Sequence, residues 1–323
     1  MTGNLIAFFV LLALVVLFVW LTFRAWRIKR WLFKAPALLV TGLLTLAFAL
    51  VAFFAGKGLA VMYIAPAPVL DITVAGTPEQ IVRGEYLVNV ACLDCHGAND
   101  GKEMPLTGGL DIMAGEGEED FSFAGSMVTA NLTPGGVLAD RSDGELFRAI
   151  RYGFGKDARL GMMSSLPYRQ LSDDDTHAII AFLRSQQPVT TASNGGDNLN
   201  LIAVILFFSE VIFPLEENRE GVIAAPAPGL TAEYGKYVAT FGECRGCHGP
   251  EMTGMEATVL SEAIPNPRVF VSAVTLEQFI QTMRTGVRPN GVAFADFMPW
   301  ENASRMTDDD LAALYAYLTA PVQ

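Results

Sequence analysis

The pattern Cys-X-X-Cys-His is present twice in this chain, in residues 92–96 and 244–248, and it uses every cysteine that the chain contains. Two thiols three residues apart on one helical turn can each add to a haem vinyl group, and the adjacent imidazole then reaches the iron. A redox dithiol does not need the histidine, and a zinc site would need ligands that the chain does not supply. The motifs therefore predict two covalently bound haem c groups, held by Cys92, Cys95, His96, Cys244, Cys247 and His248.

The front of the chain is strongly apolar. Leu5 to Phe23 and Ala35 to Gly56 are uncharged runs, and each is long enough to cross a hydrocarbon core of about 30 Å as a helix. The first run lacks the basic stretch that begins a secretory signal peptide, so we expect it to be retained. The turn between the runs is basic and is expected in the cytoplasm, since it contains Arg24, Arg27, Lys29, Arg30 and Lys34.

The rest of the chain is acidic. Residues 71–323 hold all 34 acidic residues and 16 of the 22 basic ones, a formal balance of −18. This charge serves solubility or steers a basic redox partner. Thioether attachment of haem implies an oxidising compartment outside the cytoplasm. We therefore expect a bacterial inner-membrane protein with two transmembrane helices, and with both termini and the haem region on the periplasmic side.

The outer region is an internal duplication. A Gly-X-Tyr triplet precedes each motif, at Gly84 and at Gly235, within a short helix that is expected to begin at a cap, Thr77 or Thr231. Each half ends in a helix that begins at Ser172 or Thr307 and continues with three aspartates. The predicted organisation is a hairpin anchor over 1–60, a linker over 61–76, a first domain over 77–190, an apolar interdomain linker over 191–229 and a second domain over 230–323.

The duplication also selects the second iron ligand among 12 methionines. Met298 lies 12 residues before Asp310, and Met163 lies 12 residues before Asp175, whereas the neighbouring Met162 misses this register by one residue. We therefore predict Met163 and Met298 as axial ligands. Four other methionines are expected to fill cores, namely Met113, Met127, Met283 and Met306.

In the order helix, CxxCH, methionine loop and closing helix, each half resembles a class I cytochrome c domain. The first half, through 131–134, 142–145 and 151–153, is also similar to the cytochrome subunits of membrane-bound alcohol dehydrogenases. Those subunits usually carry three such domains and lack a two-helix hairpin, so the resemblance does not transfer subunit identity. It implies an all-α fold in which the helices of Gly84 and Gly235 cross the closing helices near Phe182 and Tyr317.

Some residues leave alternatives open. Leu199 to Leu215 is nearly all apolar, but a single crossing there would place the second motif in the cytoplasm. We expect this segment to pack between the haem domains, or to contact the bilayer or a partner subunit. His177 is expected at the surface or between domains. Arg151 and Arg284 are expected to bind haem propionates or to lie on a solvated helix face.

Histidine with thioether gives six-coordinate iron with no open position and a raised potential. The sequence therefore favours a membrane-anchored dihaem electron-transfer subunit of a respiratory or photosynthetic complex. Its expected partners are other membrane subunits, the lipid bilayer, and a soluble or membrane-bound cytochrome or terminal oxidase, and no nucleic acid. The alternatives are a dihaem enzyme of peroxidase or thiosulfate-oxidising type, and the cytochrome subunit of a substrate dehydrogenase. The sequence has no spare cysteine and no paired carboxylates near either motif, and this argues against catalysis by the chain alone.

Overall fold

The structure is a computed structural model, which describes every residue except 1, 64–66, 99–102, 116–119, 156, 191–194, 211–220, 258–261, 296 and 323. The chain forms two compact units. The first comprises the N-terminal hairpin with residues 113–127 and 197–214, and the second comprises the remainder. Both are largely helical, which confirms the predicted all-α class.

The helices, in chain order, are α1 (Thr2–Trp26), α2 (Trp31–Met62), α3 (Pro78–Ala91), α4 (Leu93–His96), α5 (Asp143–Tyr152), α6 (Asp173–Ser185), α7 (Leu201–Ala203), α8 (Ala232–Phe241), α9 (Cys244–His248), α10 (Pro267–Val271), α11 (Leu276–Thr285), α12 (Trp300–Ser304) and α13 (Asp308–Thr319). Two short strands pair with each other, β1 (Gly125–Val128) and β2 (Gly196–Leu199). Single 3₁₀ turns cover Ser122–Ala124, Met162–Ser165 and Pro167–Gln170, and a π-helical turn covers Val204–Phe208.

In the first unit, α1 and α2 form an antiparallel pair joined by the basic turn. Both helices are long and apolar enough to cross a membrane. The rings of Phe18 and Phe48 stack with centroids 5.2 Å apart, and the hydroxyls of Thr22 and Thr45 lie 3.3 Å apart. Both helices extend beyond the predicted apolar runs.

The apolar segment after β2 packs on the hairpin. The Asn4 side chain donates to the carbonyl of Leu199 at 2.9 Å, and a Cβ on Gly58 would lie 2.4 Å from the Val204 carbonyl oxygen. Lys57 and Glu210 form an ion pair at 2.7 Å. The described part of this segment therefore packs against the start of α1 and the end of α2, within the first unit, and residues 211–215 lie outside the described residues.

In the second unit, the four helix starts that the duplication predicts are all capped. The side-chain oxygens of Thr77, Ser172, Thr231 and Thr307 each accept a hydrogen bond from the backbone N–H three residues on. Such a cap satisfies one of the free N–H groups of the first turn.

Each half contains one close helix crossing at a glycine, as the resemblance implied. A Cβ on Gly84 would lie 1.9 Å from the Ala178 carbonyl oxygen, and a Cβ on Gly235 would lie 1.9 Å from that of Ala313. The side chains of Phe182 and Tyr317 adjoin the same two glycines. Any larger residue would separate α3 from α6, or α8 from α13.

One hydrophobic core serves both halves of the second unit. Its buried apolar side chains come from α3 and α6 of the first half and from α8 and α13 of the second. The rings of Tyr86 and Phe241 meet edge to face across the boundary, with centroids 6.2 Å apart. The two duplicated halves are therefore packed directly against each other.

Candidate functional site

The first CxxCH motif occupies the turn where α3 passes into α4. Cys92 caps the C-terminus of α3, and the backbone N–H of His96 donates to the Cys92 carbonyl at 2.9 Å. The His96 Nδ1 atom lies 2.8 Å from the Ala130 carbonyl oxygen. Since a carbonyl only accepts, Nδ1 carries the proton and Nε2 keeps its lone pair for a metal.

The second motif repeats this arrangement on α9. His248 Nδ1 lies 2.9 Å from the Pro265 carbonyl oxygen, so its Nε2 is likewise the free nitrogen. Both imidazoles are thus oriented by a backbone carbonyl that belongs to the loop after their own motif. This is the support that metal-binding histidines usually have.

The donor groups at both motifs are neutral. Burial raises the pKa of Cys95 to about 11 and that of Cys244 to about 12, and it raises the pKa values of Cys92 and Cys247 as well. Burial lowers the pKa of both histidines, which keeps the imidazoles uncharged.

None of the four cysteines forms a disulfide, and in the described ranges no group of three or more His, Cys, Asp or Glu residues could hold a metal ion. Paired neutral thiols beside one oriented imidazole fit covalent haem attachment and not a zinc thiolate site.

The predicted methionine ligands lie in corresponding loops. Met163 is half-buried in the 3₁₀ turn after α5, and Met298 is half-buried just before α12. Each loop sits against the left-handed glycine that ends the preceding helix. A Cβ on Gly153 would lie 2.4 Å from the Ser164 nitrogen, and a Cβ on Gly286 would lie 2.5 Å from the Trp300 ring. The other four methionines named above are buried, as predicted.

The two repeated arginines each form an ion pair with an aspartate of the closing helix, and the burial of Arg151 contradicts a solvated helix face at that position. Arg151 is fully buried and pairs with Asp173 at 2.7 Å, and Arg284 pairs with Asp308 at 2.5 Å. Each therefore ties the helix before the methionine loop to the first aspartate of the closing helix. His177 is half-buried against Phe147 of its own domain, with ring centroids 5.6 Å apart.

Sequence reasoning missed a reciprocal exchange of hydrogen bonds between the two halves. The Tyr86 hydroxyl on α3 donates to Asp310 on α13, and the Tyr237 hydroxyl on α8 donates to Asp175 on α6 at 2.7 Å. We call these four residues the tyrosine exchange. The backbone N–H groups of Thr307 and Ser172 donate to the same hydroxyls, at 3.2 and 3.0 Å. Both tyrosines and both aspartates occupy matching positions of the duplication, which was the available signal.

The motifs themselves also contact the opposite half. The Arg305 side chain pairs with Asp94 of the first motif at 2.7 Å, and Arg245 of the second motif donates to Gln170 at 3.0 Å. Tyr168, just after the first methionine loop, donates to the carboxylate of Glu243, which precedes Cys244. The two motifs are therefore joined by polar contacts around the shared core.

The chain matches the model of the family described as cytochrome C oxidase, cbb3-type, subunit III, at residues 79–183 and 232–318. The alcohol dehydrogenase (quinone) cytochrome c subunit of Gluconacetobacter polyoxogenes is 31% identical over 121 residues, which cover 34% of this chain and 26% of that protein.

Two further relatives are subunits of other dehydrogenases. The fructose dehydrogenase cytochrome subunit of Gluconobacter japonicus is 30% identical over 101 residues, covering 28% of this chain and 21% of that protein. The gluconate 2-dehydrogenase cytochrome c subunit of Pantoea cypripedii is 30% identical over 102 residues, covering 27% and 23%. The chain thus matches about a quarter of the length of these curated relatives.

The family match covers both duplicated halves and more than half of the chain, and it coincides with the two oriented CxxCH sites. The chain therefore belongs to the cytochrome c oxidase, cbb3-type, subunit III family of c-type cytochromes, which transfer electrons through covalently bound haem c.

Proposed function

We propose that the chain is a membrane-anchored dihaem cytochrome c that passes single electrons on the periplasmic side, as a subunit of a respiratory or photosynthetic complex. The observation that supports this most directly is the repeated site. Two CxxCH motifs, each with its histidine oriented by a backbone carbonyl, lie in one compact unit with one core. Two sites held at a set distance allow intramolecular transfer, so the second step does not wait for diffusion.

The predicted site residues would have two roles, covalent attachment of the porphyrin and ligation of the iron. A bound haem c supplies an iron that alternates between the ferric and ferrous states. Cys92 and Cys95, with Cys244 and Cys247, would hold the two porphyrins by thioether bonds. His96 and His248 would ligate through Nε2, and Met163 and Met298 would complete the coordination.

The attachment residues can be tested directly. The full chain, matured in a host that attaches haem c, should contain two haems by the pyridine haemochrome assay. Replacing Cys92 and Cys95 together by serine should remove one haem, and so should replacing Cys244 and Cys247. A wild-type chain with one haem, or a serine pair that loses none, would contradict the dihaem assignment.

The hairpin would anchor the chain with its basic turn in the cytoplasm. The Asn4 and Gly58 contacts lie at the opposite ends of α1 and α2 from this turn, and about 20 helical residues separate Asn4 from Arg24, or ~30 Å. This length matches a hydrocarbon core. Protease added to intact spheroplasts should remove the haem-stained region, and protection of that region until lysis would reverse the orientation.

The electron partner is a larger redox subunit. The family description points to a terminal oxidase, whereas the relatives named above are cytochrome subunits of alcohol, fructose and gluconate dehydrogenases. The dehydrogenase reading is therefore the second candidate. Purification of the tagged chain from native membranes, followed by mass spectrometry, should identify an oxidase or a dehydrogenase. If ethanol, fructose or gluconate reduces the haem in that preparation, the partner is a dehydrogenase.

A further inference from the structure

Glu243 breaks the symmetry of the duplication at the point where the two motifs approach each other. It stands directly before Cys244, and the corresponding residue before Cys92 is Ala91. Its φ angle is +61°, in the left-handed region that non-glycine residues seldom adopt. The backbone thus directs one carboxyl group of the second motif toward the first domain.

The carboxylate is held across the domain boundary. The buried Tyr168 hydroxyl donates to Glu243 Oε1 and also lies 3.2 Å from the Ala91 carbonyl oxygen, just before the first motif. Burial is the main cause of the raised pKa values of all four cysteines, and Glu243 is close enough to both motifs that its charge adds to each rise. It therefore lies between the two points of haem attachment.

The groups that face Glu243 do not neutralise it. Asp94 of the first motif is a like charge, and its partner is Arg305. Arg245 is engaged with Gln170, Thr240 and the Pro250 carbonyl. Among the residues that the structure describes, no cation forms an ion pair with Glu243.

These surroundings bring the pKa of the Glu243 carboxyl group close to neutral pH. Burial raises the pKa of Glu243 to about 7, the Tyr168 hydrogen bond opposes that rise, and the charge of Asp94 adds to it. Glu243 as a whole is half-buried, although its carboxyl group lies among protein atoms.

We infer that Glu243 binds a proton from solvent when the haem pair gains an electron, and releases it when the pair is reoxidised. This inference rests on the proposed dihaem function. Reduction removes one positive charge near the carboxylate, so its proton affinity rises; the electron comes from the redox partner and the proton from water. By linkage, protonation must favour reduction to the same extent. Because Glu243 adjoins both motifs, its charge acts on both sites.

The sign of the effect follows. The reduced chain binds the proton more tightly, so raising the pH disfavours reduction, and the midpoint potential falls as the pH rises through the neutral range. The test is a potentiometric titration of the detergent-solubilised full chain between about pH 5 and pH 9, around the value cited for Glu243. Indicator-dye measurement of proton uptake upon reduction provides a second readout.

Wild type should show the falling potential and take up protons, and Glu243→Gln should lose both. The matched control is Glu233→Gln, an exposed glutamate in the first turn of α8, which should behave as wild type. A flat wild-type profile, or a slope retained in Glu243→Gln because haem propionates alone produce it, would overturn the inference. Both results leave the dihaem assignment intact, since that depends on haem content.

A second variant covers the case in which Glu243→Gln does not mature. Tyr168→Phe removes the hydrogen bond that favours the charged carboxylate. The pH range over which the midpoint potential falls should therefore move to higher pH. An unmoved range would show that another group titrates. This shift is specific, because a merely structural loss would lower stability without displacing the pH profile.

Discussion

The Tyr237 hydroxyl donates a 2.7 Å hydrogen bond to Asp175 of the other half, while Arg83 binds the same carboxylate from within its own half at 2.8 Å. The arrangement recurs at Asp310, which accepts from Tyr86 across the boundary and from Tyr234 within its own half. Each closing helix therefore begins at a carboxylate shared between the two halves. This symmetric exchange joins the two duplicated halves into one folded body.

Removing one hydroxyl of the tyrosine exchange should lower the stability of the joined halves. Tyr237→Phe leaves the Ser172 N–H without its acceptor and takes one donor from Asp175, so the free energy of unfolding should fall by about 1–3 kcal/mol. Denaturant unfolding, followed at both haem bands, measures it. Tyr315→Phe is the control, because that hydroxyl binds the Val274 carbonyl within one half.

The two variants should differ in cooperativity. In Tyr237→Phe the two halves, each followed by its haem absorption, should unfold at separate denaturant concentrations. In Tyr315→Phe the two unfolding midpoints should stay equal. Coincident transitions in both variants would show that the shared apolar core alone couples the halves.

The axial ligands can be tested by spectroscopy. Met163→Ala and Met298→Ala should each convert one of the two haems from low-spin to high-spin and lower its potential, since a thioether ligand favours the reduced state. Met162→Ala is the matched control and should leave both haems low-spin. The reverse result, with Met162 required and Met163 dispensable, would contradict the register argument. A wild-type chain with one high-spin haem that binds peroxide or carbon monoxide would favour the enzymatic alternative.

Replacing the two repeated arginines should reduce the stability of the chain by different amounts, despite their matching positions. Arg151 is 1% exposed and its partner Asp173 is 19% exposed, so Arg151→Gln should destabilise the chain by about 3–5 kcal/mol. Asp308, the partner of Arg284, is 72% exposed, so Arg284→Gln should cost less than about 1 kcal/mol. Thermal unfolding of the two variants compares them directly. Equal losses would indicate that burial does not govern these pairs.

The acidic balance of the outer region predicts a salt effect on electron transfer. If the charge steers a basic partner, stopped-flow reduction of a basic soluble cytochrome should slow by about tenfold or more as the ionic strength rises from about 0.01 to 0.15 M. An acidic cytochrome is the control and should show the opposite trend. A rate independent of salt for both partners would leave the charge with a role in solubility only.

The sequence by itself determined the parts of this protein whose chemistry is local. A CxxCH motif brings two thiols and an imidazole together within one turn, whatever the remaining fold. The caps at Thr77, Ser172, Thr231 and Thr307 likewise depend on contacts three residues apart. The long apolar runs and the duplicated Gly-X-Tyr and aspartate patterns were sufficient to predict the hairpin and the repeated helices, and the resemblance to class I cytochrome c domains implied the glycine crossings.

Only the tertiary structure decided which distant residues meet. Tyr86 and Asp310 are 224 residues apart, and Tyr168 and Glu243 are 75 apart, so no periodic pattern could pair them. The same holds for Val204 at Gly58 and for the buried pair of Arg151 with Asp173. The contacts of Tyr86 with Asp310 and of Tyr168 with Glu243 form only when the two halves dock and bury a common core, and they join the two repeats into one unit with a carboxyl group between its motifs.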